Sequence, residues 1–146
     1  MLEALRQAEK AFRKNEVPIG AVIVKNGRVI ARGFNKREKT QNALFHAEII
    51  AINKACKKLK SWRLDGCDLY VTLEPCPMCS GAICNARIDK VIYATSETTS
   101  HDGLCEMILS STRLNHKTQL VHDEKYQQEC AYLLSEFFKS KRNKKT

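Results

Sequence analysis

Residues 68–79 read Asp68-Leu69-Tyr70-Val71-Thr72-Leu73-Glu74-Pro75-Cys76-Pro77-Met78-Cys79. Leucine, tyrosine, valine and threonine in succession suit a pleated, half-buried surface, so the spacing predicts a short strand over 68–72. Leu73-Glu74-Pro75 breaks that strand. Pro77 then stands early in the next segment, where a missing N–H costs no helical hydrogen bond, and a helix is expected over 77–86. Cys76 and Cys79 fall at the N-terminus of that helix, where unpaired amide groups and the helix dipole favour a thiolate. The unit is therefore a strand that delivers two sulfurs to a helix start.

Upstream, Phe45, Ile49, Ile50, Ile52, Ala55, Cys56 and Leu59 recur at helical spacing. They place His46 and Glu48 in the first turn of a second helix, which ends at Lys57-Lys58-Leu59-Lys60. Residues 35–42 are polar and without period, and are read as a loop leading to His46. Before them lie two apolar runs, Ile19 to Val24 and Arg28 to Phe34, separated by Lys25 and Asn26-Gly27. Asn-Gly accepts positive φ at both turn positions, so these runs predict an antiparallel hairpin. Leu2, Leu5, Ala8, Ala11 and Phe12 predict an opening helix over 1–14, stopped before Pro18.

Downstream, a strand is expected over 90–94, a polar loop over 95–102, a short helix over 103–111 and a weak strand over 119–122. A long amphipathic helix follows, carried by Tyr126, Cys130, Leu133, Leu134, Phe137 and Phe138, with Asp123 as its N-cap. Lys139 to Lys145 is expected as a basic, frayed end. Strands alternating with helices imply βα units on a mixed sheet, with ligands gathered at strand ends and at the helix starts beyond them.

One imidazole and two thiolates are a ligand set for tetrahedral zinc with a fourth position left for water. His46, Cys76 and Cys79 are the expected ligands, with one Zn2+ per subunit. Glu48 lies two residues after His46, and positions i and i+2 of a helix face different ways, so it is a proton carrier rather than a ligand. Zinc lowers the pKa of bound water to about 7, and an adjacent carboxylate can take the proton and deliver it to a leaving group. A structural zinc ribbon would need a second close pair of Cys or His, which the sequence lacks, and a redox pair would leave His46 and Glu48 without a role.

The chain of 146 residues suffices for one domain with a core of its own. Seven cysteines without an apolar leader after Met1 suggest mostly free thiols in a reducing cytoplasm. No apolar run approaches the roughly 20 residues of a membrane helix. The formal charge of +9, from 25 Lys and Arg against 16 Asp and Glu, suits a polyanionic partner such as nucleic acid.

His-x-Glu succeeded by Pro-Cys-x-x-Cys resembles the signature of zinc nucleobase deaminases. The sequence resembles the bacterial tRNA adenosine deaminases over nearly its whole length. The matching blocks are Glu16-Val17-Pro18-Ile19-Gly20-Ala21-Val22, Trp62-Arg63-Leu64, Tyr70 to Gly81, Leu114-Asn115-His116 and Phe137-Phe138. The resemblance implies a cytidine-deaminase-like α/β fold, a three-layer α/β/α sandwich with a mixed five-stranded sheet. It further implies one zinc-dependent deaminase domain over residues 1–140 with a basic tail over 141–146. The implied reaction is hydrolytic conversion of adenosine to inosine at the wobble position of tRNA, by a homodimer that binds the anticodon loop.

By the same resemblance Asn35 contacts the target nucleoside, although an asparagine there is also an ordinary turn residue. Ala47 and Val17 match residues lining the base pocket, and Lys139, Lys141 and Arg142 match an RNA-facing tail. The stretch from Ala94 to Gly103 departs from the family, lacking its Asp-Pro turn and lysine and bringing Glu97 toward an expected polyanion. A free guanine or cytosine deaminase with the same zinc site is the alternative. A retired RNA-binding module would have no need for Glu48.

Overall fold

The computed structural model describes residues 1–96 and 103–145. Its elements, in chain order, are α1 (Leu2–Arg13), β1 (Gly20–Lys25), β2 (Arg28–Phe34), α2 (Arg37–Thr40), α3 (Ala47–Leu59), β3 (Cys67–Leu73), α4 (Pro77–Asn85), β4 (Lys90–Thr95), α5 (Leu104–Ser110), β5 (Gln119–His122) and α6 (Gln127–Lys144). The strands form one five-stranded sheet in the order β2-β1-β3-β4-β5. β1 runs antiparallel to both β2 and β3, whereas β3, β4 and β5 are parallel. The sheet is thus mixed, as expected, and the hairpin is its antiparallel edge.

Asn26 and Gly27 take positive φ, 52° and 75°, and close the β1–β2 hairpin as the Asn-Gly turn requires. Helices cover both faces. A Cβ on Gly20 would lie 2.1 Å from the Ala4 carbonyl oxygen in α1, and one on Gly33 would lie 2.4 Å from the Ala47 carbonyl oxygen in α3. Gly33 pairs with Ala21, the neighbour of Gly20 in β1, and successive strand residues face opposite ways. So α1 packs on one face and α3 on the other. α6 joins α1 on the first face, and α4 and α5 extend the α3 layer.

Between the sheet and the α3 layer sits the larger core, built on Ile23, Leu64, Leu69, Val71, Ile83, Ile88, Val91 and Leu109, all essentially inaccessible. Each such side chain contributes about 1.5–3 kcal/mol on burial. A smaller cluster of Leu5, Ala94 and Cys130 lies under α1 and α6.

The register fixes where the functional segments meet. Phe34 at the end of β2 pairs with Gly20 at the start of β1, and Ala21 pairs with Val71 near the end of β3. One end of the sheet therefore holds the approach to β1, the exit from β2 and the exit from β3. α4 begins four residues after β3.

Three expectations are corrected. The loop over 35–42 contains the one-turn helix α2, whose first amide groups are held by side chains from outside it. Asp123 caps a 3-10 turn, Glu124–Tyr126, by accepting a hydrogen bond from the Lys125 amide, and α6 starts only at Gln127. The basic residues from Lys139 are not a frayed end: α6 continues through them to Lys144. Of the loop over 95–102, Thr95 closes β4, and residues 97–102, with the expectation for Glu97, lie outside the described residues.

Candidate active site

Two helix starts face each other at this sheet end. His46 is the N-cap of α3, with extended backbone at φ −74° and ψ 157°, and Cys76 is the N-cap of α4, at φ −69° and ψ 170°. Neither side chain caps its own helix. Both are instead turned across the gap. The His46 Nδ1 atom lies 3.6 Å from the Cys76 Sγ and 3.6 Å from the Cys79 Sγ. A tetrahedral ion with sulfur at about 2.3 Å and nitrogen at about 2.05 Å separates those donors by about 3.6 Å, so the set fits zinc. The three donor atoms lie within 4.8 Å of one another, and they are the one such group among the described residues.

The electrostatics agree with a ligand cluster. A hydrogen bond from the Cys79 thiol holds the Cys76 thiol down to about 4, and His46 contributes in the same direction. Cys79 is raised by that same bond and by its burial. His46 is raised by its hydrogen bond with Cys76. Without metal, one thiolate thus shares protons with its two neighbours, and a divalent cation would displace them.

Glu48, the second residue of α3, is 3% exposed, and its Oε1 atom has no hydrogen-bond partner among the described residues. Burial pushes its carboxyl above the usual range, and the Cys76 charge adds to the shift. A buried carboxylate oxygen without a partner costs about 1–3 kcal/mol or more, a penalty typical of groups kept for chemistry.

Beside the cluster a small pocket is lined by Val17, Ile19, Asn35, Arg37, His46 and Ala47. The three residues assigned to the base by resemblance therefore share one pocket with a ligand. Asn35 is almost fully buried. Its Oδ1 accepts from the Arg37 backbone amide at 3.3 Å, and its backbone N–H donates to the Ile19 carbonyl at 3.2 Å. The turn role and the pocket position coexist in one residue.

Val17 and Arg37 also border a second groove of about 280 Å3, whose far wall is Phe137, Phe138, Lys141 and Lys145. Phe137 packs edge-on against Phe12 and Phe138, and the Lys141 ammonium sits 5.3 Å from the Phe137 ring. Lys139 and Arg142 are on α6 and do not line the groove. Arg37 and Lys145 were not legible as site residues, since Arg37 lies in a polar stretch without period. His116 is structural: its Nε2 bonds the Ile88 carbonyl at 2.7 Å.

The MafB19-like deaminase family matches residues 1–142. The chain is 46% identical over 146 residues to the tRNA-specific adenosine deaminase of Bacillus subtilis, covering 99% of this chain and 90% of that protein. It is 46% identical over 143 residues to that of Aquifex aeolicus, covering 96% and 92%. A solved structure from a study of A-to-I editing by tRNA:A34 deaminases at the wobble position superposes with a TM-score of 0.85 at 39% identity, over 92% of this chain and 97% of that one. The guanine deaminase of Bacillus subtilis gives a TM-score of 0.65 at 32% identity, over 97% and 90%.

Proposed function

Because the chain belongs to the MafB19-like deaminases, and within them to the tRNA-specific adenosine deaminases, we propose that it converts adenosine to inosine hydrolytically at the wobble position, A34, of tRNA. The observation that carries the chemistry is the donor set of His46, Cys76 and Cys79 at zinc spacing beside the buried carboxyl of Glu48, whose Oε1 has no hydrogen-bond partner among the described residues. Similarity favours adenosine in tRNA over free guanine, because both identity and superposition are higher for the tRNA enzymes.

His46, Cys76 and Cys79 would hold one zinc ion. Bound zinc supplies a Lewis acid that makes water nucleophilic at neutral pH. Glu48 accepts the proton of the attacking water and returns it to the departing ammonia, a task suited to a buried carboxyl whose hold on a proton is strengthened by its burial. Asn35, Ala47 and Val17 form the wall against which the flipped adenine rests. A single-stranded anticodon loop can extrude that base at low cost.

The groove that continues from Val17 and Arg37 offers the loop its phosphate contacts through Lys141, with Arg37 and Lys145, while Lys139 and Arg142 flank it on α6. We read the active species as a cytoplasmic homodimer, on the resemblance and on the exposed apolar side chains of Met107 and Leu114. No helix among the described residues is long and apolar enough to cross a membrane.

The test is incubation of zinc-loaded protein with tRNA bearing A34 and, in parallel, with free guanine, cytosine and adenine. Inosine at position 34 is the expected product. Ammonia from a free base alone, or no product from any substrate, overturns the reading.

A further inference from the structure

Glu16 is 2% exposed and takes no part in the chemistry above. Its Oε1 accepts from the Glu38 amide at 2.9 Å and its Oε2 from the Lys39 amide at 2.8 Å. These are amide groups of α2, the one-turn helix that begins with Arg37. The Arg37 amide, just before them, is taken by Asn35 Oδ1 at 3.3 Å. Three consecutive N–H groups are thus satisfied by two side chains, Asn35 from the exit of β2 and Glu16 from the approach to β1. The helix's own backbone bonds, such as Thr40 amide to Lys36 carbonyl at 3.1 Å and Asn42 amide to Arg37 carbonyl at 3.2 Å, lie at its C-terminal side, so its first amide groups depend on these side chains, and a helix of one turn is marginal by itself.

Glu16 directly precedes Val17, which lines the pocket, and the helix it grips carries Arg37, which lines the same pocket. The same two residues border the groove toward α6. A carboxylate bonded to amide groups on both oxygens is a charge-assisted, bidentate grip, stronger and more directional than a neutral bond. Its backbone end is fixed too, by the Glu16 amide donating to the Ala11 carbonyl at 2.9 Å at the end of α1.

We propose that Glu16 is a positioning residue for substrate: by clamping α2 to the Val17 segment it sets the separation of Val17 and Arg37, and with it the fit of the extruded base and its flanking phosphate. Glu16 itself does not touch substrate. This rests on the tRNA reading, and the experiment separates the two.

Glu16→Gln keeps the shape but has one acceptor oxygen, and its NH2 group opposes the second amide of α2. On an anticodon hairpin containing A34, KM is expected to rise about tenfold while kcat stays within about twofold, because the lost fit is binding rather than proton transfer. Zinc content stays at one per chain. Amide exchange at Glu38 and Lys39 accelerates about tenfold or more, with exchange in β3 unchanged. Arg37→Ala raises KM similarly, and the double variant rises no further than the larger single one, since both act through one arrangement.

Leu120→Ala, on the far strand, loses stability without raising KM and controls for general loosening. An unchanged KM in Glu16→Gln, additive effects with Arg37→Ala, or an equal rise in Leu120→Ala overturns the proposal. If the wild-type protein fails to deaminate the hairpin, the tRNA reading falls instead. The exchange measurement then decides the clamp alone: acceleration at residues 38 and 39 sustains it, and no change overturns it.

Discussion

His46 and Cys76 are the N-cap residues of two different helices, and they spend their side chains on each other, Nδ1 to Sγ at 3.6 Å, rather than on the helix ends they begin. An N-cap side chain that satisfies amide groups is worth about 1 kcal/mol, and both positions forgo it. The vacated geometry is what a shared metal uses. Chelation should therefore destabilise the fold: removing zinc is expected to lower the melting temperature, and restoring it to recover the loss, as read by calorimetry with and without chelator.

Glu48→Ala should reduce kcat about 100- to 10,000-fold, the span of a lost general acid–base, with zinc retained at one per chain by elemental analysis. Loss of zinc in that variant would make Glu48 a ligand and require a different proton carrier.

In zinc-free protein Cys76 should be the fast-reacting thiol. With its pKa held down to about 4, the thiolate persists as pH falls and is lost only on approaching that value. Labelling by iodoacetamide at Cys76 should be nearly level from pH 8 to pH 6, whereas an ordinary thiol slows about tenfold per unit in the lower part of that range. Cys105 and Cys130, pushed up to about 11 and 12 by burial, should stay unlabelled. Mass spectrometry of peptides checks this, and a tenfold slowing at Cys76 between pH 7 and 6 would show that its neighbours do not hold the charge.

Gly33→Ala should cost about 1–3 kcal/mol and weaken zinc binding together. The new methyl would meet the Ala47 carbonyl at 2.4 Å and the Ala51 amide nitrogen at 2.8 Å, both backbone atoms of α3. The helix that carries His46 and Glu48 must then back away from the sheet. Denaturant titration and competition with a chromogenic chelator measure the two effects.

Truncation after Phe138, which removes Lys141 and Lys145 from the groove, should weaken tRNA binding and flatten its dependence on salt by about one unit of slope for each phosphate left without its lysine. Equal affinity at all salt concentrations would take α6 out of the binding surface.

Asn35→Asp keeps an oxygen for the Arg37 amide, whereas Asn35→Ala does not. If Asn35 serves the base as well as the turn, both variants lose activity about equally, and hydrogen exchange at Arg37 rises only in the alanine variant. Full activity in Asn35→Asp would assign the residue to the turn.

What could be read from the sequence was what depends on near neighbours. The Asn26-Gly27 hairpin, the helix opened by Pro77 and the periodic apolar face of α3 all stem from spacings of a few residues. The ligand set was legible because Cys76 and Cys79 lie on one turn and His46-Ala47-Glu48 on another, so each half is a local pattern. α2 was not, because a four-residue helix has no period, and its hold comes from Glu16, 22 residues away, acting on backbone amides that carry no residue-type signal. Arg37 was missed with it. The 3-10 turn before α6 was missed because Asp123 caps either helix type equally well.

The β1–β2 ladder changes register at Ile23 and Val24, between the Asn26-Gly27 tip and the Gly20–Phe34 rung that adjoins the pocket. An extra residue is absorbed there, so a lengthening at the tip has somewhere to dissipate before it shifts Val17 against Asn35. The tip is consequently the place where a reporter or a second binding module could be spliced into this chain while its selectivity for the base is left as it was.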